Sequence, residues 1–403
     1  MFGAFILVVV LYLINQPLLG YFKNQYNFLR IKLLNQLYWY HMLFAVIYYI
    51  YSIFNPSDSQ RYFNRNSIDG NLSISYPPYQ TGTGFIDFIV YPFVHELGFS
   101  YEMAMILFAW FGYLGFVFFY IFFRENIKET IRVYSFDLVT ILLFLPNMHF
   151  WTASLGKGSF IFLGIAMFAY ALKAPQKRIV SMVLAFIIVY SVRPHMMMFL
   201  AVGAVVGYLT GRENIPLYQK LIILGACVAG IFLMYDKILE MASINEEDVV
   251  GSFQNFSSNR AELLARSGSG VDMSNYPLLL KLFTFWFRPL FFDAPGALGL
   301  YISAENLLYL LLTLKLIDKS FMKFLKGASS LVKMSLITFI SSSVALSFVM
   351  SNLGIVIRQK SMVMYFLFFV ILAFLEFKKR QKNDTDLIVS TNNQISRQQL
   401  RLV

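Results

Sequence analysis

Charge is scarce in this chain, and cysteine all but missing. Charged residues fill 14% of the 403 positions, where a soluble domain usually carries about 25%. That is too few to cover a water-facing globular surface. The one cysteine, Cys227, excludes an internal disulfide and lies in an apolar run, so it reads as a small buried hydrophobe. The four histidines are too scattered for metal-ligand spacing, and no metal is expected. A G-x-x-x-x-G-K-[ST] loop is also missing, so nothing supports direct use of ATP or of a cytoplasmic nucleotide sugar, and no cofactor is expected. Nor does any internal repeat suggest a transporter built from inverted halves.

What fills the chain is apolar: 58% of residues are hydrophobic and 18% aromatic. Runs of roughly 17–25 apolar residues recur from end to end, the length that crosses a bilayer. They are continuous and do not alternate, which argues for helices against a β-barrel. The expected fold is an all-α polytopic membrane protein with about eleven transmembrane helices. They are placed near 2–20, 35–54, 101–123, 134–150, 159–173, 179–192, 196–211, 217–235, 298–315, 333–351 and 361–377. Phe2 to Ile14 has no basic segment before it, and Asn15-Gln16-Pro17-Leu18 follows instead of a small-residue cleavage site. It is read as a retained first helix.

Lys and Arg set the orientation. One set of alternate connectors, with the C-terminal tail, holds 22 of the 33 basic residues; the other set holds 14 of the 22 acidic ones. The basic face is expected in the cytoplasm, with the N-terminus outside and the C-terminus inside. The net charge of +11 is then mostly a topological signal, and nucleic-acid binding is not implied. Residues 1–377 form a single transmembrane domain, and the polar tail 378–403 is expected to be disordered and cytoplasmic.

Two outer connectors are long. The first, about 55–100, ends in Phe85–Leu97, which reads as a helix lying in the interface. The second, about 236–297, turns aromatic at Leu278–Phe292 with Arg288-Pro289 embedded, an interfacial or re-entrant helix. The same face gathers ionisable residues at span ends: Asp58, Arg61, His149, Lys157, Arg193, His195, Arg288, Asp293, Glu305, Arg358 and Lys360. Charge at membrane depth needs a partner or a polar cavity. Several fixed cations at one interface suit an anionic ligand such as phosphate, pyrophosphate or carboxylate.

Each residue also has a plainer reading. Lys157, between Gly156 and Gly158, can snorkel from a tight turn. Arg193-Pro194-His195 can be a helix-break cap. Arg288 can anchor an aromatic belt, and Arg358 and Lys360 can be flanking charges. Asp58 is a helix cap, a partner for Arg61, or a general base. Glu305 calls for a partner, with an arginine expected. His149 and His195 read first as hydrogen-bonding wall residues.

The layout resembles bacterial polysaccharide polymerases of the Wzy and EpsG type, which in turn resemble the lipid-dependent GT-C glycosyltransferases. Four stretches carry it: Asp58-Ser59-Gln60-Arg61-Tyr62, Phe150-Trp151 to Lys157, Arg193-Pro194-His195, and Gly354 to Lys360. The size of the second long connector, with Arg260, Arg266 and Arg288, also fits. The paired acidic motif of many GT-C enzymes is replaced by Asp58 alone, with Asp69 eleven residues on.

The resemblance implies metal-independent joining of polyprenyl-pyrophosphate-linked glycans at the outer leaflet of the bacterial cytoplasmic membrane. Lys157, Arg193, Arg288 and Arg358 would bind the pyrophosphate, with Arg61, Glu305 and His149 lining the site. Asp58 or His195 would take the acceptor proton. Membrane lipid, a chain-length regulator and a flippase are the implied partners. Competing readings are a transferase using a polyprenyl-phosphate sugar, a flippase or transporter of lipid-linked glycans, and a membrane acyltransferase using His195 near Arg193.

Overall fold

Away from water, a continuous apolar chain satisfies its own N–H and C=O groups most simply as a helix. The computed structural model describes residues 2–67, 76–213, 276–294, 296–349 and 353–399, with isolated positions between 216 and 225. Most of the eighth expected span, and Asp69, Cys227, Arg260 and Arg266, lie outside the described residues.

The helices are α1 (Phe2–Gln25), α2 (Ile31–Phe54), α3 (Asp58–Asn66), α4 (Thr83–Tyr91), α5 (Tyr101–Asn126), α6 (Leu138–Leu143), α7 (Pro146–Thr152) and α8 (Lys157–Leu172). There follow α9 (Ile179–Val192), α10 (Pro194–Thr210), α11 (Leu278–Phe287), α12 (Gly296–Leu314), α13 (Phe321–Lys326), α14 (Ser330–Val349) and α15 (Leu353–Gln399). Among the described residues, α1, α2, α5, α14 and α15 carry stretches long and apolar enough to cross a membrane, and shorter apolar helices accompany them. The chain is a mainly helical, multi-pass membrane protein.

α5 is one of two central helices: 78% of its apolar window is buried, beside 89% for α15 and against 22% for α1. It packs on α2 and α8, and α8 packs on α9. Rings from α5, α8 and α15 fill the middle, with Phe119 stacked on Tyr365 at 4.5 Å and Phe116 against Phe162 at 4.6 Å. α10 lies against α14 through Gly203 and Gly207, one turn apart. A Cβ on Gly203 would strike Thr338, and one on Gly207 would strike the Ser330 carbonyl and Met334. Without a hydrophobic drive between helices in lipid, such small-residue contact is what lets two backbones approach.

The structure differs from the sequence expectation in two places. The span expected near 134–150 is not one helix. A short hairpin, β1 (Arg132–Val133) paired with β2 (Phe136–Asp137), precedes α6. Asp137 caps α6 by accepting from the Thr140 amide at 3.0 Å and its hydroxyl at 2.7 Å. Pro146 then forces a break. Leu145 before it sits in the extended region (φ −66°, ψ 116°), and α7 restarts with proline at its first turn, as the restriction on residues before proline requires. Second, α15 continues as helix through 378–399, where disorder was expected. A helix already formed extends without a new nucleation cost. Lys378, Lys379 and Arg380 add ion pairs to Asp318, Glu129 and Glu376.

The interfacial expectation at Phe85–Leu97 corresponds to α4 and a π-helical turn, Pro92–Glu96. Leu278–Phe292 corresponds to α11, closed at Arg288-Pro289.

Candidate functional site

The bundle has two chemically different ends. At one, the cations tie the fold together. Arg178 grips Glu125 through both terminal nitrogens at 2.9 and 2.6 Å and lies 4.0 Å over the Tyr170 ring. Arg124 pairs with Asp137, and Lys379 with Glu129 at 3.0 Å. This is the end that the Lys and Arg count assigns to the cytoplasm.

The other end collects the four stretches singled out in the sequence. Ser57 caps α3, accepting from the Gln60 amide at 3.4 Å, so Asp58 opens the helix at its positive pole. Its carboxylate meets Arg358 of α15 at 3.3 Å. The Arg358 guanidinium lies 4.4 Å over the ring of Trp151, the penultimate residue of α7. One turn along α3 from Asp58, buried Tyr62 faces Gly156, where an added Cβ would stand 3.3 Å from its ring. Burial pushes the Tyr62 phenol up to about 12, against the opposing hydrogen bond with Thr83 and the charge of Arg193.

Gly156 takes φ 149°, ψ −162° as it leads into α8, a backbone region essentially reserved for glycine. That turn places Lys157 at the amino end of α8. A Cβ on Gly82, before α4, would stand 3.7 Å from Lys157 Nζ. The Gly82 amide donates to the Ser191 carbonyl at 2.7 Å, and the Tyr79 and Ser191 hydroxyls share a 3.0 Å hydrogen bond. Ser191 lies two residues before Arg193, which caps α9 and opens α10. His195 is half-buried in the first turn of α10.

Asp87 on α4 is a carboxylate the sequence reading passed over. It is 2% exposed, accepts from the Asn66 side chain at 3.0 Å and pairs with Arg65 at 3.1 Å. Burial raises its pKa, outweighing Asn66, Arg65 and the charge of Lys157. Its only sequence signal was an acid within an otherwise apolar interfacial stretch.

A second cluster lies behind the first. Lys360 Nζ donates to the Arg288 carbonyl at 2.8 Å and to Asn306 Oδ1 at 2.6 Å. The Asn306 amide donates to the Pro289 carbonyl at 2.7 Å. Glu305 accepts from the Asn147 backbone at 2.9 Å and from the Tyr309 hydroxyl. The arginine partner expected for Glu305 is therefore replaced: Lys360 supplies the nearby charge. Arg288, expected to hold pyrophosphate, has its side chain paired with Asp293 five residues on.

Two further expectations change. His149, expected to line the site, is fully buried. It stacks on Phe116 at 4.0 Å and shares a 2.8 Å Nδ1–Nδ1 contact with His41. Only one of those two nitrogens can carry the proton between them. Its Nε2 faces the Leu143 carbonyl at 2.7 Å, so the ring is committed to the interior. Arg61 stands exposed on α3, and Asp58 pairs with Arg358 in its place. Among the described residues no group of histidine, cysteine and carboxylate side chains could hold a metal ion.

Chemically, this end offers Lys157, Arg193 and Arg358 from three separate stretches, the exposed carboxylate of Asp58 and exposed or half-buried aromatic rings. That set can bind an anion and take a proton beside it. Comparison of the chain with protein-family models, with curated proteins and with solved structures gives no match.

Proposed function

We propose that the protein is a polymerase that joins polyprenyl-pyrophosphate-linked oligosaccharide repeat units at the outer leaflet of the bacterial cytoplasmic membrane. What supports this reading is the meeting of four sequence-distant stretches at one end of the bundle. Asp58 pairs with Arg358, Arg358 covers Trp151, and Tyr62 of α3 touches Gly156 beside Lys157 and feels Arg193.

In the reaction, the acceptor hydroxyl oxygen bonds to the anomeric carbon of the donor glycan. The bond from that carbon to the pyrophosphate oxygen breaks, and the polyprenyl pyrophosphate leaves with the electron pair. Lys157, Arg193 and Arg358 hold the charge that develops on it. Asp58 takes the acceptor proton, because it stands beside Arg358, so proton acceptor and anion holder are neighbours. His195, two residues after Arg193, is the other candidate base.

The experiment is a gel of polysaccharide from cells making wild type or Lys157→Ala, Arg193→Ala or Arg358→Ala at equal levels. Wild type gives a ladder of repeat units, and each variant collapses it to the single unit. Full-length ladders from all three variants would remove the anion site. A polyprenyl-phosphate monosaccharide supplied to the purified protein checks the donor, and transfer from it would make the protein a single-sugar transferase.

A further inference from the structure

Lys360 is wholly buried, and Glu305 is 7% exposed. Charges so placed are costly unless closely compensated, so their arrangement calls for a reason. Lys360 directs its ammonium at two acceptors, the Arg288 carbonyl and Asn306 Oδ1. The next carbonyl along, that of Pro289, accepts from the same Asn306 amide. The elbow after α11 is thus held by one side chain from α12 and one from α15.

Glu305, adjacent to Asn306, points the other way and accepts from the Asn147 amide near the start of α7. Asn147 then passes the constraint on, since its Oδ1 accepts from the Trp151 indole at 3.1 Å. Trp151 is the ring beneath Arg358. Arg358 and Lys360 lie two residues apart on α15, about 200° around the helix at 3.6 residues per turn. Arg358 lies over Trp151 while Lys360 is anchored at the elbow.

We propose that Lys360, Asn306 and Glu305 form a positioning clamp that sets Arg358 over Trp151, and that Lys360 does not itself touch the anion. Lys360 fixes the helix that carries Arg358. Glu305 fixes the helix that carries Trp151. Asn306 locks both to the Arg288-Pro289 elbow. The clamp's effect on turnover rests on the polymerase reading; its effect on the Arg358–Trp151 contact does not.

The test uses full-length protein in lipid nanodiscs. The emission of Trp151 is isolated as the difference between each protein and its Trp151→Phe counterpart. Arg358→Gln shifts that emission by removing the cation from the ring. Lys360→Met is expected to shift it in the same direction, and the double variant to add nothing. In polymer synthesis, Lys360→Met and Arg358→Gln each lower kcat/KM about tenfold, and the double variant falls no further than the worse single one. Losses that multiply would make Lys360 an independent anion ligand. An unchanged Trp151 signal in Lys360→Met, or in Arg358→Gln, would overturn the clamp outright. If Lys360→Met does not accumulate, Asn306→Ser enters the same cycle, since it removes the Asn306 contacts to the Pro289 carbonyl and to Lys360 while both buried charges stay in place. If the wild type fails to extend lipid-linked oligosaccharide, the polymerase reading falls, and the emission comparison still decides the clamp.

Discussion

Asp58 and Arg358 lie 300 positions apart in sequence and 3.3 Å apart in space. They join the first long connector to the start of the last helix. Their side chains are 57% and 37% exposed, so water screens the pair and it contributes at most about 1 kcal/mol.

That low structural value makes the pair informative about function. Asp58→Asn and Arg358→Gln are expected to change unfolding free energy by no more than about 1 kcal/mol. Each is expected to lower polymer synthesis at least about tenfold. Thermal unfolding and initial rates on the same preparations check both halves. Variants as active as wild type would reduce the pair to a surface contact.

Asp87 gives a pH dependence with a definite sign. Its folded-state pKa is raised, chiefly by burial, so between the ordinary carboxylate value and the raised one the folded chain holds a proton that the unfolded chain has released. Stability from this group is complete below the ordinary value of about 3.9 and is lost as pH rises through the folded pKa. Unfolding midpoints from acid to neutral pH should therefore fall more steeply for wild type than for Asp87→Asn. Parallel curves would show that the carboxylate is solvated like any surface acid.

Gly156 is predicted to be irreplaceable for a backbone reason. At φ 149° with Tyr62 beside it, Gly156→Ala should cost about 1–3 kcal/mol. It should also impair activity by turning Lys157 away from Gly82. Gly20→Ala, in α1 with nothing within 4 Å of its Cβ, should be neutral or gain about 0.5–1 kcal/mol. Equal melting temperatures for the two variants would contradict this account.

The sequence was most informative where a residue's chemistry conflicts with its place. Lys157, Arg193 and Arg358 are cations in the set of stretches where acids outnumber them in the sequence count, and the fold brings those stretches to one end. The break at Pro146, the first residue of α7, was missed by the span expected near 134–150, because hydropathy averages over the extended conformation that Leu145 takes before it. What could not be read was partnership. Nothing local shows that Glu305 accepts from the α7 amide, because that contact spans 158 residues to Asn147. His149 follows an apolar run much as His195 does, yet Phe116 and His41 from other helices draw it inside. The helical continuation of α15 past Phe377 escaped a composition argument because it draws on carboxylates from two distant connectors, Glu129 and Asp318.

α15 runs unbroken from Leu353 to Gln399. Arg358 is near its start, and Lys378, Lys379 and Arg380, about 30 Å further on at 1.5 Å per residue, are bonded at the far side of the bundle. A helix without a proline or a loop in its length couples its two ends more closely than two helices joined by a connector would. A shift at the moorings of Lys378 and Lys379 is expected to change the height of Arg358 over Trp151, which a comparison of Trp151 emission in Lys378→Ala and wild type checks. The ion pairs at the basic end and the guanidinium at the opposite end are therefore carried by one continuous helix.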